Sequence, residues 1–252
     1  MSSSSCLIKK LSHYVELSQH DRDLLQDLEK SSTAVSAGTH LREGGQAYDD
    51  LFVLSEGWLY SFTILPDGRR QVLQVFVPGD IVGIYDTPFA HATHDLAAAT
   101  DAVVCPFPKD GLDPIFSESP ALTGLMFTFA LIDQAVFLDR LRALGRMDAV
   151  TRVGHFLFTV ISRLRLTDHD TENGHYFPLT QSDVADATGL TNVSVSKAAS
   201  VLREKGFAKW SNRRLTILDE TRLVEFASFI NRYENIDISW FPQPGRLHLG
   251  RS

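Results

Sequence analysis

Cysteine is almost absent: the 252 residues contain two, Cys6 and Cys105, far apart and outside any Cys-x-x-Cys spacing. That excludes a disulfide framework, a structural zinc ribbon and a four-cysteine iron–sulfur cluster within one chain. Long apolar runs are scarce too. The richest, residues 125–132, includes Thr128 and falls short of the roughly 20 residues that span a bilayer, so no membrane segment is expected. Residues 1–6 lack the charged start and apolar stretch of a secretory signal. No Ser, Cys or carboxylate constellation reads as catalytic, and no pair of His one residue apart joins a Glu to suggest a metal centre. These absences lead to the expectation of a cytoplasmic protein that is not an enzyme and holds no metal. What remains is 44% hydrophobic and 22% charged, enough chain for one large or two modest domains.

The net charge of −7 is unevenly placed. Residues 1–149 carry 11 Lys and Arg against 20 Asp and Glu, a net of −9, whereas residues 150–252 carry 13 against 11, a net of +2. Within 189–214, Lys197, Arg203, Lys205, Lys209, Arg213 and Arg214 meet a single acid, Glu204, giving a local +5. Such a patch is either a phosphate-facing surface or a chance cluster on a solvated face, and charge alone does not separate the two.

Residues 7–30 read as helical, with Ser18 and Asp21 as a capping box before Leu24, Leu25 and Leu28. From 35 to 108 the texture changes to short β-rich runs at 51–54, 58–62, 71–77, 81–84 and 102–105, with Pro66-Asp67-Gly68 as a hairpin turn. Strands recurring about every 8–12 residues predict an antiparallel sandwich or roll. From 120 to 146 one long helix is expected. Leu122, Phe129, Val136 and Ala143 recur every seven residues, with Leu125 and Ile132 between them, which reads as a heptad seam wanting a partner helix. A second stripe, Phe127, Leu131, Leu138 and Leu141, runs down another face, and both faces must be buried. One face on the β domain and the other on a second copy is the economical solution; a central helix buried in a monomer is the alternative. Asp148 caps a further helix over 149–166, making 145–148 a hinge. Residues 168–174 read as a polar loop and the tail after Asn235 as irregular.

The strongest motif spans 180–202. Thr180 with Asp183 caps a short helix, Gly189 ends it where the backbone turns left-handed, and Thr191 caps the next. Counted from Gln181, Ala185 is fifth, Gly189 ninth and Val195 fifteenth, with Val184 and Leu190 completing the apolar set. This is the spacing of a helix-turn-helix: a small residue where helices cross, a glycine in the tight turn and a β-branched anchor. Segments 207–210 and 215–218 then flank a Ser211-Asn212 turn and form a hairpin wing. Lys209, Arg213 and Arg214 stand near its tip as phosphate contacts. Motif and basic patch coincide, which favours double-stranded DNA over a chance cluster.

The order of these parts resembles that of the Crp–Fnr family of bacterial transcription regulators, over nearly the whole chain. The resemblance implies an α+β fold with an N-terminal antiparallel, jelly-roll-like β-roll and its N-terminal helix over 1–119. A dimerisation helix and hinge would follow over 120–147, a winged helix-turn-helix over 148–235 and an irregular tail over 236–252. It implies base contacts from Asn192, Val193 and Lys197, residue types able to meet adenine, a thymine methyl and guanine respectively. Many members carry Arg or Glu at the first two places, so the usual target sequence does not carry over. Thr180, Thr191 and Ser194 would touch phosphates through hydroxyls and helix N-termini. The dimer seam would comprise Leu122, Leu125, Phe129, Ile132 and Val136. The implied partners are DNA, a second copy of the chain and RNA polymerase, with no membrane.

Cyclic-nucleotide binders of this family use Gly-Glu-Leu followed by Arg-Ser/Thr-Ala. Here Gly83-Ile84-Tyr85 and Ala92-Thr93-His94 stand in those places, so both charged determinants are missing, and a phosphate without counter-charge is costly to bury. The effector pocket reduces to Gly83, Ile84, Tyr85, His91 and His94. No cofactor is expected, with haem on the histidines as the alternative. Cys105 ends an apolar run and reads as a core thiol. The expected function is a homodimeric regulator reading a pseudo-palindromic operator, with or without an effector. The rival reading is a haem- or small-molecule sensor whose helix-turn-helix mediates protein contacts.

Overall fold

The computed structural model describes residues 5–167, 174–234 and 236–237. The polar loop expected at 168–174, Gly174 apart, and nearly all of the expected tail lie outside the described residues. Two helices, α1 (Cys6–Ser12) and α2 (Gln19–Asp27), replace the single helical stretch expected over 7–30. The break precedes Ser18, whose hydroxyl accepts the Asp21 N–H at 3.1 Å while Asp21 accepts the Ser18 N–H at 3.0 Å. A complete capping box starts a helix, and the extended Ser18 backbone cannot continue one.

Eight strands follow: β1 (Thr33–Val35), β2 (His40–Arg42), β3 (Asp50–Glu56), β4 (Leu59–Ile64), β5 (Arg70–Phe76), β6 (Ile81–Val82), β7 (Asp95–Ala98) and β8 (Ala102–Pro108). They form two antiparallel sheets, ordered β1-β8-β3-β6 and β2-β7-β4-β5. Alternating side chains such as Leu54, Leu59, Phe76, Leu96 and Val104 fill the interior of this roll. The hairpin at Pro66-Asp67-Gly68 is present: Gly68 has φ +82°, and Ile64 pairs with Arg70 across it. The run expected to continue to Ile84 stops at Val82, because Gly83 turns left-handed into a 3-10 turn over Ile84–Asp86.

After α3 (Asp113–Glu118), α4 (Pro120–Arg146) runs 27 residues. Its mean hydropathy reaches 1.7 over 18 residues, so it is long and apolar enough to cross a membrane. Counting uninterrupted apolar residues understates this, because a helix can hide polarity. Thr128 is buried with its hydroxyl donating to the Gly124 carbonyl at 2.9 Å. Packing also corrects the expected seam. Leu122 and Leu125 are buried against α1, α2 and β3, and Ile132 against Leu166 and Tyr233, with Phe129 and Val136 half-buried beside them. The exposed face carries Phe127, Leu131, Gln134, Leu138 and Leu141, spaced four, three, four and three residues apart. That is an a/d stripe with one polar member.

α5 (Ala149–Leu164) starts on an Asp148 cap and is followed by β9 (His175–Tyr176), α6 (Gln181–Thr188), α7 (Asn192–Glu204), β10 (Ala208–Ser211), β11 (Arg214–Ile217) and α8 (Glu220–Phe226). α5 packs on α7 and α8 at Gly154, where a Cβ would meet Leu223 at 3.4 Å and Leu202 at 3.5 Å, ordinary van der Waals contact. This unit also packs on the outer face of the roll, where the Trp58 and Phe177 rings meet edge-on at 5.6 Å.

Candidate nucleic-acid interface

The two helices of the motif form because each is capped locally and each buries one stripe. Thr180 and Asp183 complete a capping box on α6, and Gly189 closes it with φ +64°. Thr191 accepts the Ser194 N–H at 3.2 Å to start α7. Val184, Ala185, Val195, Ala198 and Leu202 are buried, so the crossing holds the spacing read from the sequence. Sealing one such aliphatic side chain from water contributes about 1.5–3 kcal/mol. The opposite edge of α7 is left to solvent. Asn192, Val193 and Lys197 are all exposed, Val193 at 63%. Ser196, one turn after Asn192 on the same face, is exposed between them.

The wing is β10 paired with β11, and β9 adds a third strand by pairing with β11. Its turn is Asn212-Arg213, not Ser211-Asn212, since Ser211 pairs with Arg214 and both turn residues have positive φ, +53° and +56°. This two-residue turn matches the twist of the strands and puts Arg213 at the apex. Lys209, Arg213 and Arg214 are exposed, and Arg214 also donates to the Gly174 carbonyl at 3.0 Å. Three of the expected phosphate contacts, Thr180, Thr191 and Ser194, are engaged at the helix starts, Thr180 and Thr191 as the caps. The Thr180 hydroxyl donates to Asp183 at 2.7 Å, and the Ser194 hydroxyl lies 2.9 Å from that of Thr191.

A contact that no local pattern revealed ties this unit to the roll. Arg70, at the start of β5, donates to Asp183 at 2.6 Å and to Asp186 at 2.8 Å. Gln71 donates to the Asp186 carbonyl at 2.6 Å. Burial disfavours the Arg70 charge, but Asp186 and Asp183 outweigh it and raise its pKa above the ordinary value.

The expected effector pocket does not assemble. Gly83, Tyr85 and His94 border a space of about 10 Å³, roughly one water, whereas Ile84 does not line it and His91 is exposed outside it. Arg42 fills the position. Its guanidinium donates to Asp86 at 3.0 Å and to the Asp50 carbonyl at 2.6 Å, and it lies 4.0 Å from the Tyr48 ring centroid. Thr93 also donates to Asp86. That space has no room for a haem. Among the described residues no group of three His, Cys, Asp or Glu could hold a metal ion. Cys105 is buried, and burial together with the nearby Glu29 pushes its thiol up, as befits a core thiol.

Residues 33–119 match the family model of the cyclic nucleotide-binding domain, and residues 151–226 that of the Crp-like helix-turn-helix domain. The chain is 26% identical over 219 residues to a probable transcriptional activator of Rhizobium leguminosarum bv. viciae, covering 86% of this chain and 90% of the relative. It is 22% identical over 222 residues to the fumarate and nitrate reduction regulatory protein of Escherichia coli K12, covering 88% of each. Among solved structures, FixK2 of Bradyrhizobium japonicum superposes with a TM-score of 0.68 at 21% identity, covering 78% of this chain and 96% of that one. A CooA mutant of Carboxydothermus hydrogenoformans gives 0.64 at 20% identity, covering 89% and 97%.

Proposed function

Because the chain belongs to the Crp–Fnr family of transcription regulators, we propose that it acts on DNA as a pair of chains, each presenting the solvent edge of α7 to base edges in the major groove. The observation that carries this is the exposed row Asn192, Val193 and Lys197 on a helix whose other face is core. The Val193 side chain, left 63% exposed at the helix start, is suited to a thymine methyl. Lys197 donates to guanine, and Asn192 pairs with adenine. Lys209 and Arg213 on the wing meet phosphates and supply the salt-dependent part of affinity. Thr180 and Thr191 contribute mainly by fixing helix starts, with the Ser194 hydroxyl beside that of Thr191, and the free N–H groups there face the DNA backbone.

The pairing surface in this reading is the stripe Phe127, Leu131, Gln134, Leu138 and Leu141, which leaves the buried leucines to hold α4 on the roll. Gln134 within it would fix register. Two recognition helices set about 34 Å apart read a pseudo-palindrome. The roll works without a cyclic nucleotide, since Asp86 already neutralises Arg42 at the place where a phosphate would need it.

Selection of bound sequences from random DNA defines the operator for the test. Lys197→Ala is then expected to lose about 1–3 kcal/mol on that operator and far less on random DNA. Equal losses on both would reject base reading by α7.

A further inference from the structure

Between β5, α4, α5 and the end of α6 lies a partly open cavity of about 110 Å³. Leu73, Val75, Val136, Phe156 and Val160 make its walls largely apolar. Two guanidiniums stand in those walls with no carboxylate partner among the described residues. Arg140 donates only to the carbonyls of Val72, Leu73 and Ala187, and Arg152 only to those of Thr188 and Met147. The carboxylate in the lining, Asp133, lies 3.9 Å from Arg163, which is itself paired with Asp80 at 3.1 Å. Three further polar atoms of the lining residues are buried without a hydrogen-bond partner: Arg152 Nε, His155 Nε2 and the Tyr233 hydroxyl. Half-buried positive charge answered only by carbonyl dipoles carries a free-energy cost that a bound anion would relieve. Burial pulls the Arg140 guanidinium down to about 10, and no counter-charge offsets it.

We propose that this cavity binds a small organic acid, with an apolar ring or short chain seated among the aliphatic side chains and one carboxylate held by Arg152 and Arg140. A dry cavity of roughly 150 Å³ takes up benzene; this one is smaller but partly open, so a single ring or short chain suits it only with its carboxylate toward the open side. Because the walls come from both the roll and the C-terminal unit, an occupant strengthens their docked arrangement by linkage. The site is separate from the DNA-facing edge, and its test needs no DNA, so either reading can fail without the other.

Benzoate and benzyl alcohol are titrated into the full chain by calorimetry. Benzoate is expected to saturate one site per chain and to bind at least roughly tenfold tighter than the alcohol. Arg152→Met should erase that preference, and Val136→Phe, which fills the cavity, should abolish binding of both. Lys197→Ala should change neither, which separates the cavity from the basic surface. The proposal is overturned by no saturable benzoate binding, by equal affinity for acid and alcohol, or by binding lost in Lys197→Ala yet kept in Arg152→Met and Val136→Phe. The acid–alcohol comparison on the unaltered chain decides the matter even where a variant fails to fold.

Discussion

Acidification should weaken this fold through one histidine. His155 sits on α5 with its ring edge-on to Phe229 at 5.5 Å and its Nε2 without a partner. Its pKa is lowered from the ordinary 6.5 to about 4, chiefly by burial and also by the Arg142 charge, with Asp139 opposing both. The native chain therefore keeps the ring neutral at a pH where the unfolded chain has already taken up a proton. The associated stability is full above about pH 6.5, drains away as pH falls, and is gone below about 4. Integrated with those two values, the loss between pH 7.5 and 5 is about 2 kcal/mol, or roughly 4–8 °C in midpoint for a chain of this size.

Asp80 acts in the same direction at lower pH. Burial raises its pKa, but Arg163 and Lys10 outweigh burial and hold the carboxyl below its ordinary 3.8. Its contribution is thus lost only as pH falls through that lower value, outside the window. The assay is urea unfolding at pH 7.5, 6 and 5 for the native chain and for His155→Gln. The variant is expected to be less stable at pH 7.5 and to show a shallower pH dependence, the two curves approaching each other by about 2 kcal/mol at pH 5. Parallel curves would refute the reasoning, since the slope would then come from other groups.

Leu138→Asp, on the exposed stripe, is expected to give a monomer by sedimentation velocity and to weaken operator binding by about tenfold or more, without loss of helix content. An unchanged dimer would show that pairing uses another surface. Arg70→Ala combined with Asp186→Ala tests the tie between the roll and the first helix of the motif. Their side chains are about three-quarters hidden from solvent, and a double-mutant cycle should return a coupling of roughly 1–2 kcal/mol that shrinks in high salt. Strict additivity would mean the fork contributes nothing to docking.

Much of the candidate interface was legible in the sequence because its determinants are local. Thr180, Asp183, Gly189 and Thr191 set helix ends within four residues of themselves, and the small residue at 185 and the anchor at 195 act across a single turn. Alternating runs likewise announced most strands of the roll, while β1, β2 and β7 went unread because each carries a single large apolar side chain, Val35, Leu41 and Leu96. Local signals do not say what an element faces. Both stripes of α4 are apolar, so periodicity required two partners but could not say which stripe met the roll. The buried positions proved to be those of Leu122, Leu125 and Ile132.

The charged contacts that matter most join residues remote in the chain. Arg70 reaches Asp186 across 116 positions, and Arg42 reaches Asp86 across 44. No window of sequence contains both members of either pair. The sequence by itself determined the parts, their order and the helix starts, because capping and turn chemistry act over a few residues. Only the tertiary structure decided which helix face is left to solvent, that Arg42 closes the roll, and that two unanswered guanidiniums share one cavity. Those outcomes follow from which surfaces exclude water together, and that is settled only when distant segments meet.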